Sequence, residues 1–125
     1  MPLAQEGEGG MKLDSMHHVT VAARILADQH GAAKDRLAQA GPRFWRALID
    51  VDSWPRDLAE KARQICSRFM EKGTIEWTVN AMDPHTAAER VEELAKSVAS
   101  LLADIKLAAR EGGLALQPRP CRMKR

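Results

Sequence analysis

The sequence contains no tyrosine, and its aromatic residues are only two phenylalanines and three tryptophans. A chain poor in aromatic residues and rich in alanine, leucine, glutamate, lysine and arginine favours helices over strands. Two cysteines, Cys66 and Cys121, are too few for the disulfide framework of a small secreted domain. The length of 125 residues nevertheless suits one domain with its own hydrophobic core.

Long apolar runs are missing as well. No run approaches the roughly 18 residues that a membrane span requires. The N-terminus carries Glu6 and Glu8 and lacks the basic-then-apolar order of a signal peptide. We therefore expect a cytoplasmic protein that does not bind membranes.

Sequence motifs typical of catalysis are not found. The chain has no Gly-x-Ser-x-Gly, no Cys-x-x-Cys and no glycine-rich phosphate loop before a helix. No two histidines have the i,i+4 spacing with which two imidazoles share one metal ion on a helix. The histidines are His17, His18, His30 and His85. We therefore predict no catalytic residue, no metal and no cofactor, and a protein that is not an enzyme.

Positive charge is concentrated at the C-terminus. The formal net charge of the chain is +2. The last seven residues contribute +4 and hold no acidic residue, so the first 118 residues together carry −2. The body of the protein is therefore not basic, and an argument for nucleic-acid binding from the overall charge concerns only a short tail.

The clearest pattern is a heptad seam near the C-terminus, in which apolar residues recur at alternating steps of four and three. Its members are Ala87, Val91, Leu94, Val98, Leu101, Ile105 and Ala108. Asp83 and Pro84 are suited to begin this helix and Gly112 to end it, which predicts a helix over 84–112. β-Branched residues alternating with leucine favour pairing with a second copy, whereas the adjacent row with Leu102 widens the face and favours a bundle. The seam therefore predicts a homodimer interface or an intramolecular core about equally.

Shorter helices are predicted before this one. Apolar spacing and Gly or Pro punctuation place them at about 14–30, 32–40, 42–50, 55–72 and 74–82. The last of these also alternates as a strand would, with 114–117 as its only plausible partner, and we favour a short helix capped by Thr74. The sequence thus predicts a disordered leader at 1–13, a domain at 14–113 and an extended basic tail at 114–125. The domain is an all-α bundle of four to six helices packed on one long C-terminal helix.

Exposed aromatic residues would be the strongest candidates for a binding surface, because they dominate the energetics of protein interfaces. Phe44, Trp45 and Trp54 form the densest aromatic patch, and Leu102 lies beside the heptad seam. For Phe44 and Trp45 a role in the core competes with this one. We predict a small protein-interaction module that uses these residues to bind a protein partner or a second copy.

The alternative function is a nucleic-acid-binding regulator. Helices at 42–50 and 55–72, joined by a tight turn, resemble a helix-turn-helix, although the turn lacks the usual glycine. Basic residues cluster on one side of the second helix and in the tail. They are Lys61, Arg68, Lys72, Arg119, Arg122, Lys124 and Arg125. Asp57 and Glu60 lie among those of the helix, so a mixed solvated face competes with this alternative.

The stretch at 22–31, Ala-Ala-Arg-Ile-Leu-Ala-Asp-Gln-His-Gly, resembles the opening of small helical proteins encoded in alphaproteobacterial genomes and their mobile elements. The resemblance covers ten residues. It implies a bacterial accessory or mobile-element role, of which inhibition of a defence system is one form, and it names no activity.

Overall fold

The computed structural model describes residues 9–70 and 75–117, and this part of the chain contains five α-helices, a short 3₁₀ helix and two three-residue strands. In chain order the elements are β1 (Gly10–Lys12), α1 (Leu13–Ala27), α2 (Ala33–Ala47), the 3₁₀ helix (Leu48–Ser53), α3 (Arg56–Phe69), α4 (Ile75–Ala81), α5 (Pro84–Glu111) and β2 (Ala115–Gln117). The predicted all-α bundle on a long C-terminal helix is confirmed.

The ends of α5 are formed by the predicted residues. Asp83 accepts hydrogen bonds from the backbone N–H of Thr86 at 2.9 Å and from its hydroxyl at 2.8 Å. These bonds hold the pKa of Asp83 below its usual value. At the other end Gly112 adopts the left-handed conformation, with φ of 86°, that glycine accepts at little cost.

The heptad seam of α5 lies at the centre of the core. Six of its residues are at most 4% exposed: Ala87, Val91, Leu94, Val98, Leu101 and Ile105. Helices α1, α2 and α3 of the same chain contact α5 and cover this face. The seam therefore presents no exposed apolar strip through which two chains could be joined.

A bilayer-spanning segment is not found among the helices of the described residues; α5 has the length, but charged side chains interrupt it.

Helix α2 differs from its prediction. The sequence predicts a break at Gly41 and Pro42, whereas α2 continues through both. The buried residues Leu37, Ala40, Phe44 and Ala47 form one stripe across the proline, and Pro42 itself is exposed. Burial of that continuous stripe outweighs the cost of an interior proline, about 3 kcal/mol for the missing hydrogen bond and the clash of the ring with a preceding carbonyl.

The two strands lie outside the limits predicted for the domain. β1 pairs in parallel with β2, Met11 opposite Leu116, and Met11 is fully buried. The prediction of a disordered leader is therefore wrong for residues 9–13. Residues 118–125 of the predicted tail lie outside the described part. For 74–82 the helix is confirmed as α4, and the proposed cap Thr74 also lies outside the described part.

Asp50 ties these N-terminal elements together. Its carboxylate accepts hydrogen bonds from the backbone N–H of Lys12 at 2.8 Å, from the hydroxyl of Ser15 at 2.6 Å and from the indole N–H of Trp54 at 3.0 Å. The backbone of Asp50 departs from helical geometry within the 3₁₀ helix, with φ of −114° and ψ of 24°. Ser15 lies within the first turn of α1, whose N-cap is Lys12, and its hydroxyl serves this network.

Candidate functional site

An open apolar cavity of about 570 Å³ lies on the surface, and we name it the Trp45 groove. It lies between the C-terminal end of α2, the 3₁₀ helix and the second half of α3. It is lined by Trp45, Arg46, Leu48, Ile49, Val51, Arg63, Cys66, Ser67 and Met70. A concave apolar surface with a few polar groups at its edge is typical of a binding site.

The first wall of the groove exists because two neighbouring aromatic residues point in different directions. Consecutive residues of a helix are about 100° apart. Phe44 is fully buried and contacts Phe69, with ring centroids 5.6 Å apart, whereas Trp45 is 55% exposed. The chain then tightens into the 3₁₀ helix, in which Ile49 is 80% exposed. Trp45 and Ile49 thus present two large apolar side chains to solvent.

The second wall is one face of α3. The lining residues Arg63, Cys66, Ser67 and Met70 are spaced i, i+3, i+4 and i+7, so they lie along the same side of the helix. The opposite face of α3, with Leu58, Ala62 and Ile65 buried, belongs to the core. One helix therefore supplies both the core and the groove, which its mixed sequence does not reveal.

The charges in the groove are both positive. Arg63 pairs with Asp52 at 2.6 Å, and both side chains are largely exposed, 51% and 95%. The sequence predicts an i,i+4 pair between Arg46 and Asp50, but the Asp50 carboxylate is turned inward. Within the described residues no hydrogen bond or ion pair of Arg46 is found. The groove is therefore lined by two cations and no carboxylate.

Cys66 lies at the base of the groove and is 6% exposed. Burial raises the pKa of its thiol, because the thiolate would lose solvation. The folded protein therefore retains this proton at pH values where the unfolded chain loses it. The stabilisation is complete below the ordinary thiol pKa and is lost as the pH rises toward the raised value.

We expect Cys66 to react slowly with iodoacetamide. In a Cys121→Ser variant at mildly alkaline pH, alkylation should be at least about tenfold slower than that of glutathione, since both burial and the raised pKa reduce the accessible thiolate. Mass spectrometry over time measures the rate. Denaturant should restore the rate of an ordinary thiol, and equal rates with and without denaturant would contradict the burial of Cys66.

The predicted partner-binding residues are divided by the structure. Trp45 lines the Trp45 groove, but Phe44 and Trp54 are at most 1% exposed and have no surface to offer a partner. Phe44 packs on Phe69 and so has the core role that competed with partner binding, whereas the exposed Trp45 does not have that role. The prediction of Trp54 as a surface residue is wrong, because its indole is buried and bound to Asp50. Leu102 is partly buried against the core. The structure therefore brings no other predicted residue to Trp45.

The sequence does not identify Ile49, Met70 and the two arginines as groove residues. A signal for the first wall was present, because residues 44, 45, 47, 48 and 49 are all apolar. Five apolar residues in six positions exceed the width of one helix face, so some must lie on the surface or at a second contact. No comparable signal marks α3, where the groove side alternates with charged residues.

Two basic residues of the nucleic-acid alternative, Lys61 and Arg68, have partners within the described part of the protein. Lys61 of α3 pairs with Asp104 of α5 at 2.6 Å and donates to Ser100 at 2.7 Å, and Arg68 of α3 pairs with Glu93 of α5. These contacts join α3 to α5 and neutralise both cations. The remaining residues of this alternative lie outside the described part: Lys72, Arg119, Arg122, Lys124 and Arg125.

A second cavity, of about 330 Å³, lies beside these pairs between α3 and α5. It is lined by Lys61, Gln64, Ile65, Arg68, Lys96, Ser97 and Ser100. Because two of its three cations are already paired with carboxylates, its positive charge is weaker than its residue types suggest. The helix predicted at 42–50 belongs partly to α2 and partly to the 3₁₀ helix, so the predicted first helix of a helix-turn-helix does not occur as a separate α-helix with these bounds.

No cluster of histidine, cysteine, aspartate and glutamate suited to a metal ion occurs within residues 9–70 and 75–117. His17 and His18 are adjacent, with ring centroids 5.9 Å apart, and His18 lies 3.3 Å from a guanidinium nitrogen of Arg43. The chain matches no protein-family profile, no curated protein and no solved structure.

Proposed function

We propose that the protein is a non-enzymatic interaction module whose Trp45 groove receives an apolar segment of a partner protein. The observation that carries this proposal is the exposure of Trp45 and Ile49 side by side over an apolar base. Only four large apolar residues of the described part are notably exposed, and two of them are in this groove. Clustered exposed apolar residues mark interaction sites, whereas scattered ones are ordinary.

The chemistry of the groove supports a partner in preference to a reaction. The lining contains no histidine and no carboxylate, and Cys66 is held as a neutral thiol. A partner that covers roughly 100 Å² of the Trp45 side chain would gain about 2.5 kcal/mol from that residue. Tryptophan and arginine are the residue types that most often dominate binding energy at protein interfaces.

We expect Trp45→Ala to weaken partner binding by about 2 kcal/mol, roughly thirtyfold in Kd, with little change in stability because the side chain is half exposed. The measurement is crosslinking in cells that express the full chain with a photoreactive residue at position 49. One partner protein should be crosslinked repeatedly from position 49, and its capture should be lost when Trp45→Ala is added.

Position 107 provides the matched control, because Leu107 is 47% exposed on α5 and does not line the groove. A photoreactive residue there should not capture the protein that is captured from position 49. Equal capture from both positions, or capture from position 49 that persists in Trp45→Ala, would contradict a docking role for the Trp45 groove.

A further inference from the structure

We propose that the partner segment seated in the Trp45 groove is a short amphipathic helix with carboxylates beside its apolar stripe. This inference rests on the proposed function and specifies its partner. Both walls are helical surfaces, and grooves between helices accept a third helix by the same side-chain interdigitation that forms bundles. Charge complementarity then selects among such helices.

The length of the groove matches two turns of helix. The lining residues of α3 and its C-cap extend from Arg63 to Met70, about 10 Å along the axis at 1.5 Å per residue. On the opposite wall Trp45 and Ile49 are four positions apart. A helix that presents large apolar side chains at i and i+4 would contact both walls over this distance.

The charge of the groove favours an acidic helix. Arg46 and Arg63 are the charged residues of the lining, and the partner of Arg63 is the almost fully exposed Asp52. An exposed ion pair contributes little and can be exchanged for a carboxylate of the partner, which a guanidinium binds through two hydrogen bonds. The carboxylate of Asp50, four residues after Arg46, is bound to Ser15 and Trp54 and does not pair with Arg46. Both guanidinium groups can therefore donate hydrogen bonds to carboxylates of a partner.

This preference is local to the groove. Residues 1–118 together carry a net negative charge, so the body of the protein as a whole does not attract acidic partners. Residues 119–125 carry +4 in every variant of the groove, so the part of the preference that belongs to the groove is the part that changes when Arg46 and Arg63 are substituted.

The test uses the full-length protein and two fluorescein-labelled synthetic peptides of about 14 residues, long enough for a helix of nearly four turns. Both carry leucine at i, i+4 and i+7; one has glutamate and the other lysine at the flanking positions. Fluorescence anisotropy should show the glutamate peptide binding about tenfold more tightly at low salt, as two surface charge pairs would give. Its circular dichroism should gain helix on binding.

Variants of the arginines separate charge from shape. Arg46→Gln with Arg63→Gln should equalise the two peptides, and Arg46→Glu with Arg63→Glu should make the lysine peptide the tighter ligand. Because both arginines are largely exposed, these variants should keep the circular dichroism of the unmodified protein. Trp45→Ala should weaken both peptides.

Each remaining outcome overturns one stated part of the proposal. Equal binding of both peptides that is lost in Trp45→Ala would overturn the acidic partner and leave the docking function standing. If neither peptide binds, both the acidic partner and the docking function are overturned. Binding without a gain of helix would overturn the helical partner. Displacement of the glutamate peptide by free dodecanoate, or a Trp45-dependent doubling of mass in light scattering, would assign the groove to a small amphiphile or to a second copy.

Discussion

Leu94→Asp is expected to leave the protein unfolded. Leu94 is fully buried in the heptad seam, where helices α1, α2 and α3 cover α5. Removing its side chain costs about 3–5 kcal/mol, and burying a carboxyl group without a partner adds more. The sum equals or exceeds the total stability of many small domains, about 5–15 kcal/mol. Far-UV circular dichroism and denaturant titration would measure the loss.

Leu107→Asp is the matched control, since it makes the same change in the same helix at an exposed position. It should change the free energy of unfolding by no more than about 1 kcal/mol. Light scattering on both variants separates unfolding from a change in association. Leu94→Asp that stays helical and merely changes its mass would contradict the assignment of the seam to the core of a single chain.

Asp50→Ala is expected to destabilise the protein by about 3–5 kcal/mol. The substitution removes three hydrogen bonds to a carboxylate, from Lys12, Ser15 and Trp54. Ser15 and Trp54 are at most 1% exposed, so their donors would be buried without a partner, at about 1–3 kcal/mol each. The loss should appear as a lower midpoint in urea with an unchanged slope.

Asp52→Ala tests whether the position of Asp50 matters more than its charge. Asp52 lies two residues away and its only recorded partner in the described part is the exposed Arg63. Its removal should cost less than about 1 kcal/mol, as for other surface ion pairs. Equal effects of Asp50→Ala and Asp52→Ala would contradict the network that joins β1, α1 and the 3₁₀ helix.

Helix α5 could be predicted almost to the residue, because all of its determinants are local. The periodicity of Val91, Leu94, Val98 and Leu101 defines its buried face, and Asp83 with Pro84 defines its start. The prediction of a break within α2 is wrong for the opposite reason. A proline is a local signal, but the helix across Pro42 is maintained by burial against neighbours that are distant in sequence.

The pairing of β1 with β2 could not be predicted. Each strand has three residues, and the two lie about a hundred residues apart in the chain. A strand of that length has no recognisable period, and its hydrogen-bonding partner is determined by how the helices bring the ends of the chain together. The glycine-rich and acidic composition of residues 1–13 predicts disorder. Composition does not show that Met11 is buried.

The sequence by itself determined the helical class, the long C-terminal helix and the absence of recognisable catalytic motifs, since periodicity, capping residues and motif spacing are properties of short stretches. The tertiary structure decided the candidate site. It placed Phe44 in the core and Trp45 at the surface, turned Asp50 away from Arg46, and paired Lys61 with Asp104. These outcomes depend on which surfaces meet across the bundle, and such contacts join residues whose positions in the chain carry no common pattern.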